Sequence, residues 1–209
     1  MKAYVLRRVV YFISLVLSFL LYPVLNNYSN NASIARVLKI WIDDYIPLIP
    51  IFSIPYIFYL PFLFLTLSYF FFFTNLFRSI SVSFIFCQIV ASLFFAFLQT
   101  TVARPNIVST DIFSRLILLI YSKDQPFNCF PSLHVSLSII SGLYWVLKFP
   151  KIVLPMTVFV ILICLSTVFV KQHYLVDIIG GLILAITSFY IGLRFPQRIG
   201  LNSKSRSIS

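Results

Sequence analysis

Glutamate is absent from this chain, so every acidic group is one of five aspartates: Asp43, Asp44, Asp111, Asp124 and Asp177. Histidine occurs only twice, as His134 and His173, and cysteine three times in 209 residues. With so few ligands, no cluster of histidines and carboxylates offers enough donors to imply a metal or other cofactor. Charged residues are also scarce at 10%, against 60% hydrophobic residues, 24 phenylalanines and a mean hydropathy of +1.00. That balance excludes a soluble domain, because one core of this size cannot cover so much apolar surface. An integral membrane protein is expected. The sixteen Lys and Arg, which give a net charge of +11, read as orientation in the bilayer and attraction to anionic head groups. No basic run interleaved with aromatics points to nucleic acid instead.

Cys87 and Cys164 fall inside apolar stretches and Cys129 in a polar connection. Their depths do not match, so free thiols are expected, with Cys129 reachable by an impermeant reagent. Apolar stretches near the 20 or so residues that cross a bilayer run from Val9 to Leu25, Ile51 to Phe73, Val82 to Ala103, Ser132 to Phe149, Ile152 to Val170 and Tyr174 to Phe195. The fold class expected is therefore all-α, a single membrane-embedded domain over 1–209 with six transmembrane helices. Pro47, Pro50, Pro55 and Pro61 mark an interfacial entry or a kink in the second. Asp111 to Tyr121 reads as a short amphipathic helix on the membrane surface between the third and fourth helices, lidding the site. The first stretch reads as a retained helix rather than a cleaved signal. The basic end of the chain, about 196–209, reads as mobile.

Six crossings divide the cations unequally. Lys2, Arg7, Arg8, Arg78, Lys148, Lys151, Arg194, Arg198, Lys204 and Arg206 share one side, and Arg36, Lys39, Arg104, Arg115, Lys123 and Lys171 the other. The positive-inside tendency then places both termini in the cytoplasm, most simply at the cell membrane. Asn27 and Asn31 each begin an Asn-x-Ser sequon in the first outer loop, which matters only in a eukaryotic secretory pathway.

The same parity brings three polar clusters to one membrane face. Arg104-Pro105 closes the third stretch, Pro131-Ser132-Leu133-His134 opens the fourth, and Lys171 to Asp177 joins the fifth to the sixth. His173 and Asp177 are spaced i,i+4, so on one helix face the carboxylate can fix the ring tautomer and leave the other nitrogen free to attack. Pro131 suits the first turn of its helix, leaving N–H groups around Ser132 and Leu133 open to phosphate oxygens beside His134. His134 can give a proton to a leaving alkoxide and later take one from water. Arg104 offers a planar fork and Lys171 a point charge for the transferring group, with Arg115 and Lys123 as weaker candidates. Either cation, taken alone, reads equally as an interfacial residue reaching for water.

At these residues the chain resembles the type 2 phosphatidic acid phosphatase superfamily, whose motifs are Lys-x6-Arg-Pro, Pro-Ser-Gly-His and Ser-Arg-x5-His-x3-Asp. Here they read Phe97-x6-Arg104-Pro105, Pro131-Ser132-Leu133-His134 and Ser166-Thr167-x5-His173-x3-Asp177. Phe97, Leu133 and Thr167 depart from the pattern, and two phosphate-binding cations are missing, with Lys171 as the expected substitute. The Ser-Leu-His form and the Lys-Gln-His-Tyr run are more similar to the inositol phosphorylceramide synthase branch, which contains transferases. The resemblance implies a phosphohistidine on His173, orientation by Asp177, protonation by His134, and a lipid phosphate or diphosphate substrate held in the bilayer. Hydrolysis is the first expectation and transfer to a lipid or polyol acceptor the second. A non-catalytic membrane protein that kept the pocket is a third. The oligomeric state is left open by the sequence.

Overall fold

In a computed structural model the described residues are 2–28, 35–108 and 111–195. Asn31 and the basic end of the chain lie outside them, as does the side chain of Asn27. Seven helices follow in order: α1 (Lys2–Tyr28), α2 (Ser53–Phe73), α3 (Phe77–Phe97), α4 (Ile112–Lys123), α5 (Leu133–Lys148), α6 (Val153–Phe169) and α7 (Leu175–Arg194). Two short parallel strands, β1 (Arg36–Val37) and β2 (Thr100–Thr101), are the only sheet among the described residues. Five stretches are long and apolar enough to cross a membrane, built on α1, α2, α3, α6 and α7. α5, at 16 residues, is shorter. At 1.5 Å per residue it spans about 24 Å, less than the roughly 30 Å of hydrocarbon.

The prolines of the second stretch sort by position. Pro50 opens a 3-10 turn, Pro55 sits in the first turn of α2 where a missing N–H costs nothing, and Pro61 lies inside the helix. The third stretch differs from its expectation: α3 starts five residues earlier, at Phe77, and ends at Phe97. Beyond it the backbone is extended, with Thr100 and Thr101 paired to Arg36 and Val37. β-branched threonines favour that pairing over another helical turn. Arg104 therefore belongs to a loop, not to a helix end.

Helix ends locate the two poles of the bundle. Arg8 on α1 donates to the Phe70, Phe71 and Thr74 carbonyls, the last of them 2.9 Å away, and so satisfies acceptors that the end of α2 leaves open. Arg78 donates to the Tyr11 hydroxyl at 3.0 Å and lies 5.0 Å from the Phe195 ring, joining the starts of α1 and α3 to the end of α7. The opposite pole gathers the start of α2, α4, the start of α5 and the α6–α7 turn. α5 packs on α2, α3, α6 and α7, so Ser136, Ser138 and Ser141 are buried in protein. α4 turns Ile117 and Ile120 inward against Tyr56 and Val170 and leaves Leu118 and Leu119 exposed.

Candidate active site

The site begins with the register between α5 and α7. A Cβ on Gly181 would sit 2.8 Å from the Ser132 carbonyl oxygen, so this glycine lets α7 approach the start of α5 closely. The Ser132 N–H donates to the Asp177 carbonyl at 3.1 Å, and the Ser136 hydroxyl bonds the Gly181 carbonyl at 3.0 Å. Pro131 stands before the helix rather than in its first turn, and Ser132 is the N-cap, its hydroxyl accepting from Val135 N–H. Its own N–H is occupied, which corrects the expectation that it is open to phosphate. With the Val135 N–H taken by the Ser132 hydroxyl, the open donors of this helix start are those of Leu133 and His134.

With that register set, His134 on α5 and His173 ahead of α7 meet with ring centroids 5.7 Å apart and planes at 64°. His173 is not on the helix with Asp177, because α7 begins at Leu175. The pairing survives through the helix entry: Asp177 Oδ2 accepts the Tyr174 N–H at 2.9 Å and lies 3.4 Å from His173 Nδ1. That separation permits charge attraction without hydrogen-bond alignment. Both His173 Nδ1 and Asp177 Oδ1 are buried with no hydrogen-bond partner among the described residues. The His173 main chain is fixed from behind, since its N–H and that of Gln172 both donate to the Thr167 carbonyl, at 3.1 and 2.9 Å.

The expected cations divide. Arg104 reaches the site through Gln172, whose Oε1 accepts from Nη2 at 2.5 Å, and it also donates to the Tyr121 and Asp124 carbonyls. Burial lowers its proton affinity, partly offset by the Asp124 charge. Lys171, held at a positive φ of 56°, sends its ammonium to the Ile46 carbonyl instead. Burial lowers its pKa as well. Arg115 and Lys123 are exposed on α4. Phe97, where the motif carries lysine, is 86% exposed on the outside of the bundle.

Residues unassigned in the sequence complete the arrangement. Tyr56 stacks on His134 at 4.6 Å and Tyr59 approaches it at 4.3 Å. Asp124 accepts from the Tyr56 and Tyr22 hydroxyls, at 3.0 and 2.7 Å. Tyr56 and Tyr59 recur at i,i+3 on α2, a spacing that places both on one face, but nothing in the sequence says which histidine they face. Cys129 is 3% exposed, so an impermeant reagent should not reach it in the folded protein. All three cysteines are free thiols. Thr100 holds the loop carrying Cys129, its hydroxyl oxygen accepting the Cys129 and Phe130 N–H groups at 3.0 and 2.9 Å.

Residues 31–191 match the model of the PAP2 superfamily. The chain belongs to that superfamily of phosphatases and phosphotransferases. A segment of 73 residues is 36% identical to the inositol phosphorylceramide synthase catalytic subunit aur1 of Schizosaccharomyces pombe, taking in 34% of this chain and 17% of that protein. The match thus covers about a sixth of the relative's length. No solved structure matches.

Proposed function

We propose that the protein is an integral membrane lipid phosphatase working through a phosphohistidine. The observation that carries this is the placement of His173 and His134 from separate elements within one phosphorus atom's span, 5.7 Å between rings. His173 attacks phosphorus through the nitrogen turned from Asp177, the P–O bond to the leaving group breaks, and His134 gives that oxygen its proton. Water deprotonated by His134 then displaces His173 and releases phosphate. Arg104 and the open first turn of α5 stabilise the equatorial oxygens. These steps use the chain's own groups and water, so a chelator is expected to leave turnover intact.

With α5 as a sixth crossing and α4 lying at the surface, both termini share one side, and the cation tally supports the cytoplasm for them and the extracytoplasmic face for this pole. Exposed Trp41 and Tyr45 beside it suit the head-group level. An apolar groove of about 340 Å³ between α2 and α6, lined by Phe52, Pro55, Phe58 and Phe159 among others, fits an acyl or prenyl tail. The substrate class is a lipid phosphate or diphosphate whose tails stay in the bilayer.

The aur1 match favours a second reading, transfer of a phosphate-containing head group to an alcohol acceptor. A panel of lipid phosphates and diphosphates offered to purified protein, with and without a polyol or hydroxylated lipid, separates the readings by product mass. Free phosphate supports hydrolysis, and a new phosphodiester supports transfer. Equal turnover by His173→Ala and wild type would remove the catalytic assignment altogether.

A further inference from the structure

Cys129, His173 and Asp177 come from the loop before α5, the turn before α7 and α7 itself, and their ligand atoms all lie within 4.8 Å of one another. All three residues are buried. Two of those atoms' side chains carry unmet capacity, because His173 Nδ1 and Asp177 Oδ1 lack hydrogen-bond partners in a place closed to bulk water. Buried polar atoms left unpaired are rare and call for a cause. The Cys129 thiol makes only a weak contact, 3.7 Å from the Pro126 carbonyl.

We propose that these three side chains form a binding site for a thiophilic divalent cation of the zinc kind, and that its occupancy silences the His173 nucleophile. Thiolate, imidazole and carboxylate are the donors zinc takes in tetrahedral sites, with one position left for water or a phosphate oxygen. Bond lengths of about 2.3 Å to sulfur and 2.0–2.1 Å to nitrogen set neighbouring ligands roughly 3.5 Å apart. The observed spread therefore closes by about 1 Å, within the reach of side-chain rotation about a fixed backbone. On binding, the thiol loses its proton to solvent, sulfur and nitrogen lone pairs are given to the metal, and no electron is transferred. The ring nitrogen that coordinates, or the carboxylate that no longer orients the ring, takes the nucleophile out of service.

Metal binding stands apart from the phosphatase reading, whereas the inhibitory consequence rests on it, and the measurements keep the two separate. Chelator-stripped full-length protein in nanodiscs is titrated with Zn²⁺ or Co²⁺ alone. One ion per chain is expected, with a thiolate-to-cobalt charge-transfer band that Cys129→Ser removes. X-ray absorption of the zinc form of the unaltered protein should show one sulfur at about 2.3 Å and nitrogen or oxygen at about 2.0–2.1 Å. A shell of nitrogen and oxygen only overturns the site, and this reading does not depend on any variant folding. The zinc concentration giving half-inhibition should rise in Cys129→Ser by roughly 10- to 100-fold or more, since even an outer-shell partner is worth that much. Cys87→Ser and Cys164→Ser should leave it unchanged. Equal zinc sensitivity in all three variants overturns the proposal. If the protein turns over no lipid phosphate, the spectroscopy still decides the metal site. If it turns over lipid phosphate but gives no sulfur shell, the phosphohistidine reading survives alone.

Discussion

Asp177 serves two groups through one oxygen: Oδ2 takes the Tyr174 N–H at 2.9 Å and faces His173 Nδ1 at 3.4 Å. The hydrogen bond shapes the entry to α7, and the longer approach sets the carboxylate charge beside the imidazole. Asp177→Asn keeps the shape of the side chain while removing the charge that favours one tautomer. A fall in kcat of about 10² or more is expected, on the scale of lost general acid–base organisation, with little change in KM. Equal losses in both parameters would point to a merely structural part. Cys129 offers a test at the same scale. Burial, with the Asp177 and Asp124 charges beside it, raises this thiol well above its ordinary value. Only the thiolate is alkylated, so in metal-free protein its reaction with a small permeant reagent should stay slow through pH of about 8.5, where a free thiol is half ionised. The rate should continue to climb above that point. A plateau near 8.5 would show an ordinary thiol. Tyr56, Tyr59, Gln172 and Asp124 show why single residues were only partly legible. Each is an unremarkable polar or aromatic residue in sequence, and its part at the site comes from a contact across 68 or more positions.

Among the elements, the α5–α7 seam carries the geometry. Gly181 allows the Ser132 carbonyl to lie where a methyl group would be, with Val135 only slightly farther off. Gly181→Ala forces the start of α5 away, at a cost of about 1–3 kcal/mol for overpacking. Because His134 rides on that start, kcat should fall further than stability alone predicts at a temperature where the variant is folded. Ser136→Ala is the matching control: it loses the buried hydroxyl shared between the Ser132 and Gly181 carbonyls, about 1 kcal/mol, without displacing backbone. Thermal unfolding in detergent and turnover on one lipid phosphate compare the two. Helix identity was readable from apolar run length, since every run contains a helix. Boundaries were not: α3 ends at Phe97, and Thr100 and Thr101 of the same stretch pair with Arg36 and Val37 instead of continuing the helix. Sequence periodicity says nothing about a strand partner more than 60 residues away.

For the molecule as a whole, the cation tally and the positions of helix ends agree: Arg8 and Arg78 tie one pole together, and the histidines occupy the other. The gathering of the two histidines at one pole was anticipated by counting apolar runs. Which pole faces out is tested with single cysteines on a chain lacking Cys87, Cys129 and Cys164. Ser122→Cys on exposed α4 should react with an impermeant thiol reagent in intact cells, and Lys151→Cys only after permeabilisation. The reverse pattern would invert the topology and move the chemistry to the cytoplasmic leaflet.

α5 is sheathed by α2, α3, α6 and α7, and its serines, Ser136, Ser138 and Ser141, are buried within that sheath. Two members of that sheath are translated after it. When α5 leaves the ribosome its 16 residues are fewer than the roughly 20 that cross a bilayer, and half of its eventual surroundings do not yet exist. It should therefore linger at the insertion channel until α7 has emerged. Crosslinking of stalled nascent chains would show channel contacts persisting up to that length. The pole that holds the two histidines would then be the last part of the protein to be born, completed only when a late helix closes over an early one.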